Sequence, residues 1–274
     1  RRALRTRATT RPKTIDHVLD RLRLEVDRAV YEGSRLGYFA ALYRGVTARV
    51  AEGIETGRFE DGERMERLDV IFALRYLDAV DRMRRGEAPT RSWRLAFDAA
   101  DRWDPCILQH LLVGMNAHIG LDLGIAAART APGPKLGALR SDFDEITTLL
   151  CEMIDDVQDR LADVSPWMWL VDRVGGRHDE LVATHCLGAA RHLAWTWAEH
   201  LAGSAAHRQD DAILRLDAIV AQMGGRILRP SLPVRAALFM ARVWESRDVV
   251  RVIRALDRSA GPGNTAQDGP SRAG

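Results

Sequence analysis

The chain has 274 residues, of which 46% are hydrophobic and 28% are charged, and its formal net charge is +2. This length suits one large domain or two small ones, and the balanced, dispersed charge argues against nucleic-acid binding. Cys106, Cys151 and Cys186 lie far apart without paired spacing, so we expect no disulfide framework and a reducing, cytoplasmic location.

Helical patterns fill the first hundred residues. Apolar residues at helical spacing predict a first helix after Thr14, which can serve as its N-cap. A second predicted helix ends at Gly57, and a third, with acidic residues early and arginines late, ends before Gly86. Ser92 could cap a short helix that continues to Ala100.

The most apolar stretch is PCILQHLLVGMNAHIGLDLGIAAA, residues 105–128. Asp104 followed by Pro105 marks its start, because proline suits the first turn of a helix. The stretch is long enough to cross a bilayer, but its glycines and polar side chains argue against a membrane span. We therefore expect the buried central helix of a soluble protein.

The second half of the chain also predicts helices and no β-strands. A loop at 130–141 separates the central helix from helices expected over 141–164, 166–176, 177–203, 207–223 and 233–257. The predicted fold class is all-α, as a single-domain multi-helix bundle. We expect a flexible N-terminal segment over 1–13, the all-α domain over 14–258, and a small, polar, disordered tail over 259–274.

The central helix carries polar residues whose burial needs an explanation. A buried carboxylate at Asp122 requires a donor or a metal, and His118 lies four residues earlier on the same face. The pair could hold a divalent metal, or Asp122 could orient His118 as a general base. A purely structural hydrogen bond is the alternative. Asn116, two residues before His118, points toward another helix but remains a candidate catalytic residue.

The motif GMNAHIGLDL resembles the GMNAHIN-x-DL signature of a bacterial family of unknown function that is common in actinomycetes. The segments RLDVIFALRYLDAVD and LGAARHLAWTWAEHL are similar to two further blocks of that family. The resemblance spans about residues 15–203 and departs from the signature at Gly120, where relatives have Asn. It supports the choice of site residues and implies no particular reaction.

These blocks supply candidate binding residues around the central helix. Asp69 and Tyr76 lie seven residues apart and share a face of the third helix. Asp69 could instead be a solvated surface charge. Arg191 is a candidate partner for a buried Asp, and Trp195, four residues later, is placed to stack.

An acidic cluster provides a competing site. Asp155 and Asp159 share a helix face and fit the D-D-x-x-D pattern with which isoprenoid-diphosphate enzymes bind magnesium. The downstream sequence lacks the second metal motif of that class, and an ordinary charged face is the alternative.

The favoured hypothesis is a small-molecule enzyme with a His118–Asp122 site, for acid–base chemistry or a divalent metal, that binds neither nucleic acid nor membrane. The alternatives are a non-catalytic helical binding or scaffold protein and an isoprenoid-diphosphate enzyme.

Overall fold

The computed structural model describes residues 11–165 and 177–258, and over these residues it contains helices and no β-strand. The all-α prediction is confirmed. The α-helices in chain order are α1 Ile15–Glu32, α2 Leu36–Glu55, α3 Gly62–Arg84, α4 Arg91–Ala100, α5 Ile107–Ala117, α6 Gly124–Thr130, α7 Arg140–Glu152, α8 Ile154–Ala162, α9 Arg177–Ala202, α10 Ala206–Leu228, α11 Leu232–Trp244 and α12 Val249–Asp257. A π-helix, His118–Leu123, joins α5 to α6, and a 3-10 helix, Gly133–Leu139, precedes α7.

The start of α1 and the ends of α2 and α3 follow the predicted signals. The Thr14 side chain accepts a hydrogen bond from the backbone N–H of His17 and so caps α1. Gly57 and Gly86 follow α2 and α3 with φ values of 69° and 74°, a left-handed conformation that suits glycine. Local sequence was therefore sufficient to place these ends.

Four details differ from the sequence predictions. The single helix expected over 141–164 is two helices, α7 and α8, which meet at Met153. α4 begins at Arg91 with Thr90 as N-cap, so Ser92 lies inside the helix and does not cap it. The single helix expected over 233–257 is two helices, α11 and α12. The stretch 107–130 is not one continuous α-helix, because six of its residues form the π-helix.

Some predicted segments cannot be compared. The tail over 259–274, the helix expected over 166–176 and all but the last three residues of the segment 1–13 lie outside the described residues.

The central segment is surrounded by other helices. α6 packs along α9, α5 packs against α2, α4 and α10, and α3 contacts both α6 and the π-helix. Among the described helices, only Ile107–Thr130 is long and apolar enough to cross a membrane, and its most apolar window is 72% buried inside the protein. The buried side chains of this segment contribute to each cluster of the apolar core, together with residues from the surrounding helices.

A buried carboxylate fixes the start of α4. Asp217, on α10, accepts hydrogen bonds from the backbone N–H groups of Arg91 and Ser92 and from the Ser92 hydroxyl, at 2.7–3.0 Å. These bonds satisfy N–H groups that have no partner within the helix itself. They also fix the position of Trp93, the next residue, which is 1% exposed.

Candidate functional site

The π-helix carries a fully buried carboxylate that three side chains contact. Arg75 Nε, on α3, donates to Asp122 Oδ1 at 2.9 Å, and Trp93 Nε1, on α4, donates to Asp122 Oδ2 at 2.7 Å. His118 Nδ1 lies 3.3 Å from the same Oδ2. Asp122 is 0% exposed, so these donors and the Arg75 charge replace the water that a carboxylate otherwise needs.

The contact with Asp122 determines which nitrogen of His118 carries the proton. An ionised carboxylate only accepts hydrogen bonds, so Nδ1 must donate, and the lone pair of the neutral ring is on Nε2. Burial lowers the pKa of His118, while Asp122 acts in the opposite direction. The ring is therefore neutral at pH 7. Nε2 is buried and has no hydrogen-bond partner among the described residues.

Aromatic rings surround the imidazole. Phe72 stacks on it with ring centroids 3.6 Å apart and planes 8° apart. Tyr43 approaches edge-on at 4.4 Å and Phe39 at 5.6 Å. These contacts hold the ring in one orientation and exclude water from it.

His118 forms part of the wall of a large apolar cavity. The cavity has a volume of about 650 Å³, within the range of small-molecule sites. Its wall comes from α2, α3, α5, the π-helix, α7, α8, α9 and α11, and is mainly Leu, Ile, Val, Met and aromatic side chains. Phe72 and Tyr43, the rings closest to His118, also line it. The site therefore combines a buried base with space for an apolar molecule.

Asp69 places a second buried carboxyl group in this wall. It lies three residues before Phe72 on α3, so the two side chains share a face. Its Oδ2 is buried without a hydrogen-bond partner in the described part of the chain. Burial, together with the nearby Glu66 charge, raises the pKa of Asp69 to about 7. The alternative of a solvated surface charge was wrong for Asp69, which is 7% exposed.

Tyr43 adds a hydroxyl to the same part of the wall. Its Oη is buried with the Thr47 hydroxyl nearby, but no hydrogen bond of normal length joins them. Burial raises the pKa of Tyr43 well above its usual value, and the charges of Asp69 and Asp122 act in the same direction. Tyr43 therefore remains a neutral group that can donate a hydrogen bond to a bound molecule.

Arg191 lines the cavity from α9 and is 4% exposed. The sequence suggested a buried Asp as its partner, but no Asp pairs with it among the described residues. Its Nε donates to Thr147 Oγ1 and its Nη2 to the Phe143 carbonyl, both at 2.7 Å, and the guanidinium lies 4.4 Å from the centre of the Phe143 ring. All of these partners are uncharged.

Three other candidates lie outside the cavity wall. Asn116, expected to be catalytic, donates to the Val220 carbonyl at 2.9 Å and so links α5 to α10, because it projects from a different side of the helix than His118. Tyr76 is buried among aromatic rings, with its centroid 6.2 Å from that of His118. Trp195 Nε1 donates a hydrogen bond to Glu199 at 2.7 Å, and its ring packs against Phe143. The arginine that lies over the Trp195 ring is Arg140.

The structure does not favour the proposed metal sites. The oxygens of Asp122 accept hydrogen bonds from three donors, and His118 turns Nδ1 toward that carboxylate, so the pair does not present two free ligands to one ion. Asp155 and Asp159 are exposed, whereas the same helix lines the cavity with Val157 and Leu161. No group of three or more potential His, Cys, Asp or Glu ligands occurs in the described residues.

Sequence reasoning missed four residues of the site: Arg75, Trp93, Tyr43 and Phe72. Arg75 and Phe72 lie within the block RLDVIFALRYLDAVD, next to the candidates taken from it. Trp93 and Tyr43 lie on other helices and gave no local signal. One sequence feature could have identified Phe72: it lies three residues after Asp69, which places both side chains on the same face of the helix.

The model of a family of unknown function, DUF5995, matches residues 15–230 of the chain. No curated protein and no solved structure matches it.

Proposed function

Since the chain belongs to the DUF5995 family, whose function is unknown, we propose a function from the geometry of the site. The protein is a small-molecule enzyme that binds an apolar substrate in the cavity and uses His118 as a general base. The observation that carries this proposal is the unpartnered Nε2 of a neutral, carboxylate-oriented histidine in the wall of a 650 Å³ cavity.

The hydrogen bonds of Asp122 suit a base. Nε2 is free to take a proton, and the imidazolium that forms is stabilised by the carboxylate at Nδ1. Arg75 and Trp93 hold that carboxylate in place, so its orientation does not change when the ring becomes charged. The Tyr43 hydroxyl and the protonated form of Asp69 are the groups in this part of the wall that can donate a hydrogen bond to the substrate.

A non-catalytic binding protein is the second candidate. The observation that favours it is the coverage of His118: Nε2 is shielded from solvent, with Phe72 stacked on the ring and Tyr43 against its edge. Because Nε2 is buried, a substrate reaches it only if the side chains that cover it move. In the binding protein the His118–Asp122 pair is purely structural.

Binding is tested first with Nile red, a neutral dye that fluoresces in apolar surroundings. We expect saturable binding to the wild type and its loss in Leu150→Trp, which places a larger side chain in the cavity wall. Non-saturable binding, or unchanged binding in the variant, would contradict the proposed ligand cavity.

Catalysis is tested by incubating an organic-solvent extract of the producing cells with wild type, His118→Gln and the control His17→Gln. His17 is exposed on α1, so its substitution leaves the cavity intact. Mass spectrometry should show compounds that wild type and His17→Gln consume and His118→Gln does not. Equal consumption by all three rules out His118 as the base. No consumption by any of them, with saturable Nile red binding, favours the binding protein.

A further inference from the structure

Arg191 is a buried cation whose charge is not neutralised by a direct ion pair. Its hydrogen-bond acceptors, Thr147 Oγ1 and the Phe143 carbonyl, are uncharged. No carboxylate lies within ion-pair distance of it in the described residues. Asp144 is the acidic group with the largest effect on the pKa of Arg191, and it accepts a hydrogen bond from Arg140. A buried charge normally requires a counter-charge, because desolvation is otherwise costly.

The charge persists at neutral pH. Burial lowers the pKa of Arg191 to about 10, so the guanidinium stays protonated. Only Nε and Nη2 of the guanidinium make hydrogen bonds in the part of the chain that the structure describes. Nη1 has N–H groups left for a ligand, and a guanidinium matches the oxygens of an anion well.

On this basis we propose that the natural ligand is an apolar carboxylic acid, with its carboxylate on Arg191 and its hydrocarbon part in the cavity. The proposal rests on the proposed function, because it specifies the ligand class of the same cavity. The apolar wall accounts for the body of the ligand, and the unneutralised guanidinium accounts for its single negative charge.

The charge balance favours a carboxylate over a phosphate ester. One guanidinium neutralises one negative charge, whereas a phosphate monoester carries about −1.5 to −2 at pH 7. The excess would remain in an apolar cavity whose described wall also holds the carboxyl of Asp69, with which it would interact unfavourably. A monoanionic head group avoids this cost.

The proposal is tested by displacing Nile red with two twelve-carbon molecules, dodecanoate and uncharged 1-dodecanol, below their aggregation concentrations. For the wild type, the concentration of dodecanoate that displaces the dye should be at least about tenfold lower than that of dodecanol. This ratio corresponds to the free energy of one hydrogen bond to a charged group. In Arg191→Gln this preference should disappear, through weaker binding of dodecanoate and unchanged binding of dodecanol. Arg191→Lys should retain part of it.

Arg67→Gln serves as the matched control, because Arg67 is an exposed arginine on α3 that does not line the cavity. Its preference should equal that of the wild type. Equal displacement by the two molecules in the wild type overturns the proposal, and this result does not depend on whether Arg191→Gln folds. A preference for dodecanoate that survives in Arg191→Gln also overturns it. Bound dye that neither molecule displaces also overturns the ligand class. Failure of the dye itself to bind contradicts instead the ligand cavity of the proposed function.

Discussion

Trp93 Nε1 donates a 2.7 Å hydrogen bond to Asp122 Oδ2, the oxygen that lies 3.3 Å from His118 Nδ1. An indole on α4 therefore helps to fix the carboxylate that orients an imidazole on the π-helix. Since Asp217 fixes the start of α4, the orientation of His118 depends on residues from several separate parts of the chain. This arrangement explains why so polar a group is stable inside the most apolar segment.

Asp122→Asn should strongly destabilise the protein. The amide keeps the shape of the carboxylate but loses the charge that pairs with Arg75, and its NH₂ group faces an N–H donor instead of accepting from it. We expect the free energy of unfolding to fall by about 3–5 kcal/mol, as for other broken buried pairs. Trp93→Phe, which removes one donor to a charged group, should cost less, about 2 kcal/mol. Urea denaturation measures both.

The control for Asp122→Asn is Asp98→Asn. Asp98 pairs with Arg94 one turn away on α4, but both side chains are more than two-thirds exposed. This substitution should change the free energy of unfolding by less than about 0.5 kcal/mol. Equal stability of the Asp122 and Asp98 variants would show that the buried network contributes nothing to the fold.

Asp69→Asn should stabilise the protein at neutral and alkaline pH. With its pKa raised to about 7, the folded protein retains a proton that the unfolded chain has lost above about pH 4. The wild type therefore loses stability as pH rises from 4 to 7, at up to about 1.4 kcal/mol per pH unit, and the Asn variant does not.

Unfolding measured between pH 4 and 8 should show the advantage of Asp69→Asn growing to about 4 kcal/mol above pH 7. Asp78→Asn, an exposed position on the same helix, should show no such dependence. A constant difference between Asp69→Asn and wild type across this range would contradict the raised pKa.

The sequence was sufficient to predict the all-α class, three helix ends and the central pair, because these depend on residues close together in the chain. Thr14, Gly57 and Gly86 mark helix ends through local backbone chemistry, and the four-residue spacing of His118 and Asp122 brings their side chains together. The π-helix does not disrupt this pairing. It was not predicted, since no local feature distinguishes it from an α-helix in so apolar a segment.

The surroundings of the pair could not be predicted. Arg75 and Trp93 reach Asp122 from positions 47 and 29 residues away, and such contacts depend on how the helices pack. The same is true of the cavity, to which side chains from eight of the described helical segments contribute. Asn116 illustrates the converse: it was a catalytic candidate, but, as its two-residue offset from His118 predicted, it faces another helix and donates to the Val220 carbonyl.

His118→Gln should make the protein less sensitive to acid. Burial lowers the pKa of His118 in the folded state, so below pH 6.5 the unfolded chain takes up a proton before the folded protein does. Wild-type stability therefore falls with decreasing pH, by up to about 1.4 kcal/mol per unit from this residue. The variant should lose this contribution, and unfolding between pH 4.5 and 8 measures it.

The difference in stability between His118→Gln and the wild type gives the contribution of His118 alone to the pH dependence. His110, whose pKa burial lowers to about 3, contributes with the same sign, and Asp69 contributes with the opposite sign, but both are present in each protein. His17→Gln, at an exposed position, should follow the wild-type curve. If His118→Gln follows it as well, the imidazole is not buried in the neutral form.

Gly124→Ala should separate the helices that flank the site. A Cβ at this position would lie 2.7 Å from the Ala194 carbonyl oxygen and 3.3 Å from the Trp197 Cβ, so α6 could not keep its present distance from α9. Because a backbone oxygen cannot move aside as a flexible side chain can, we expect the free energy of unfolding to fall by about 1–3 kcal/mol.

Gly225→Ala is the matched control on α10, where no atom lies within 4 Å of the new Cβ. There the gain in helix propensity should raise stability by about 0.5–1 kcal/mol. Thermal unfolding of the two variants should therefore shift in opposite directions, and a stabilising Gly124→Ala would mean that α6 and α9 are not in close contact.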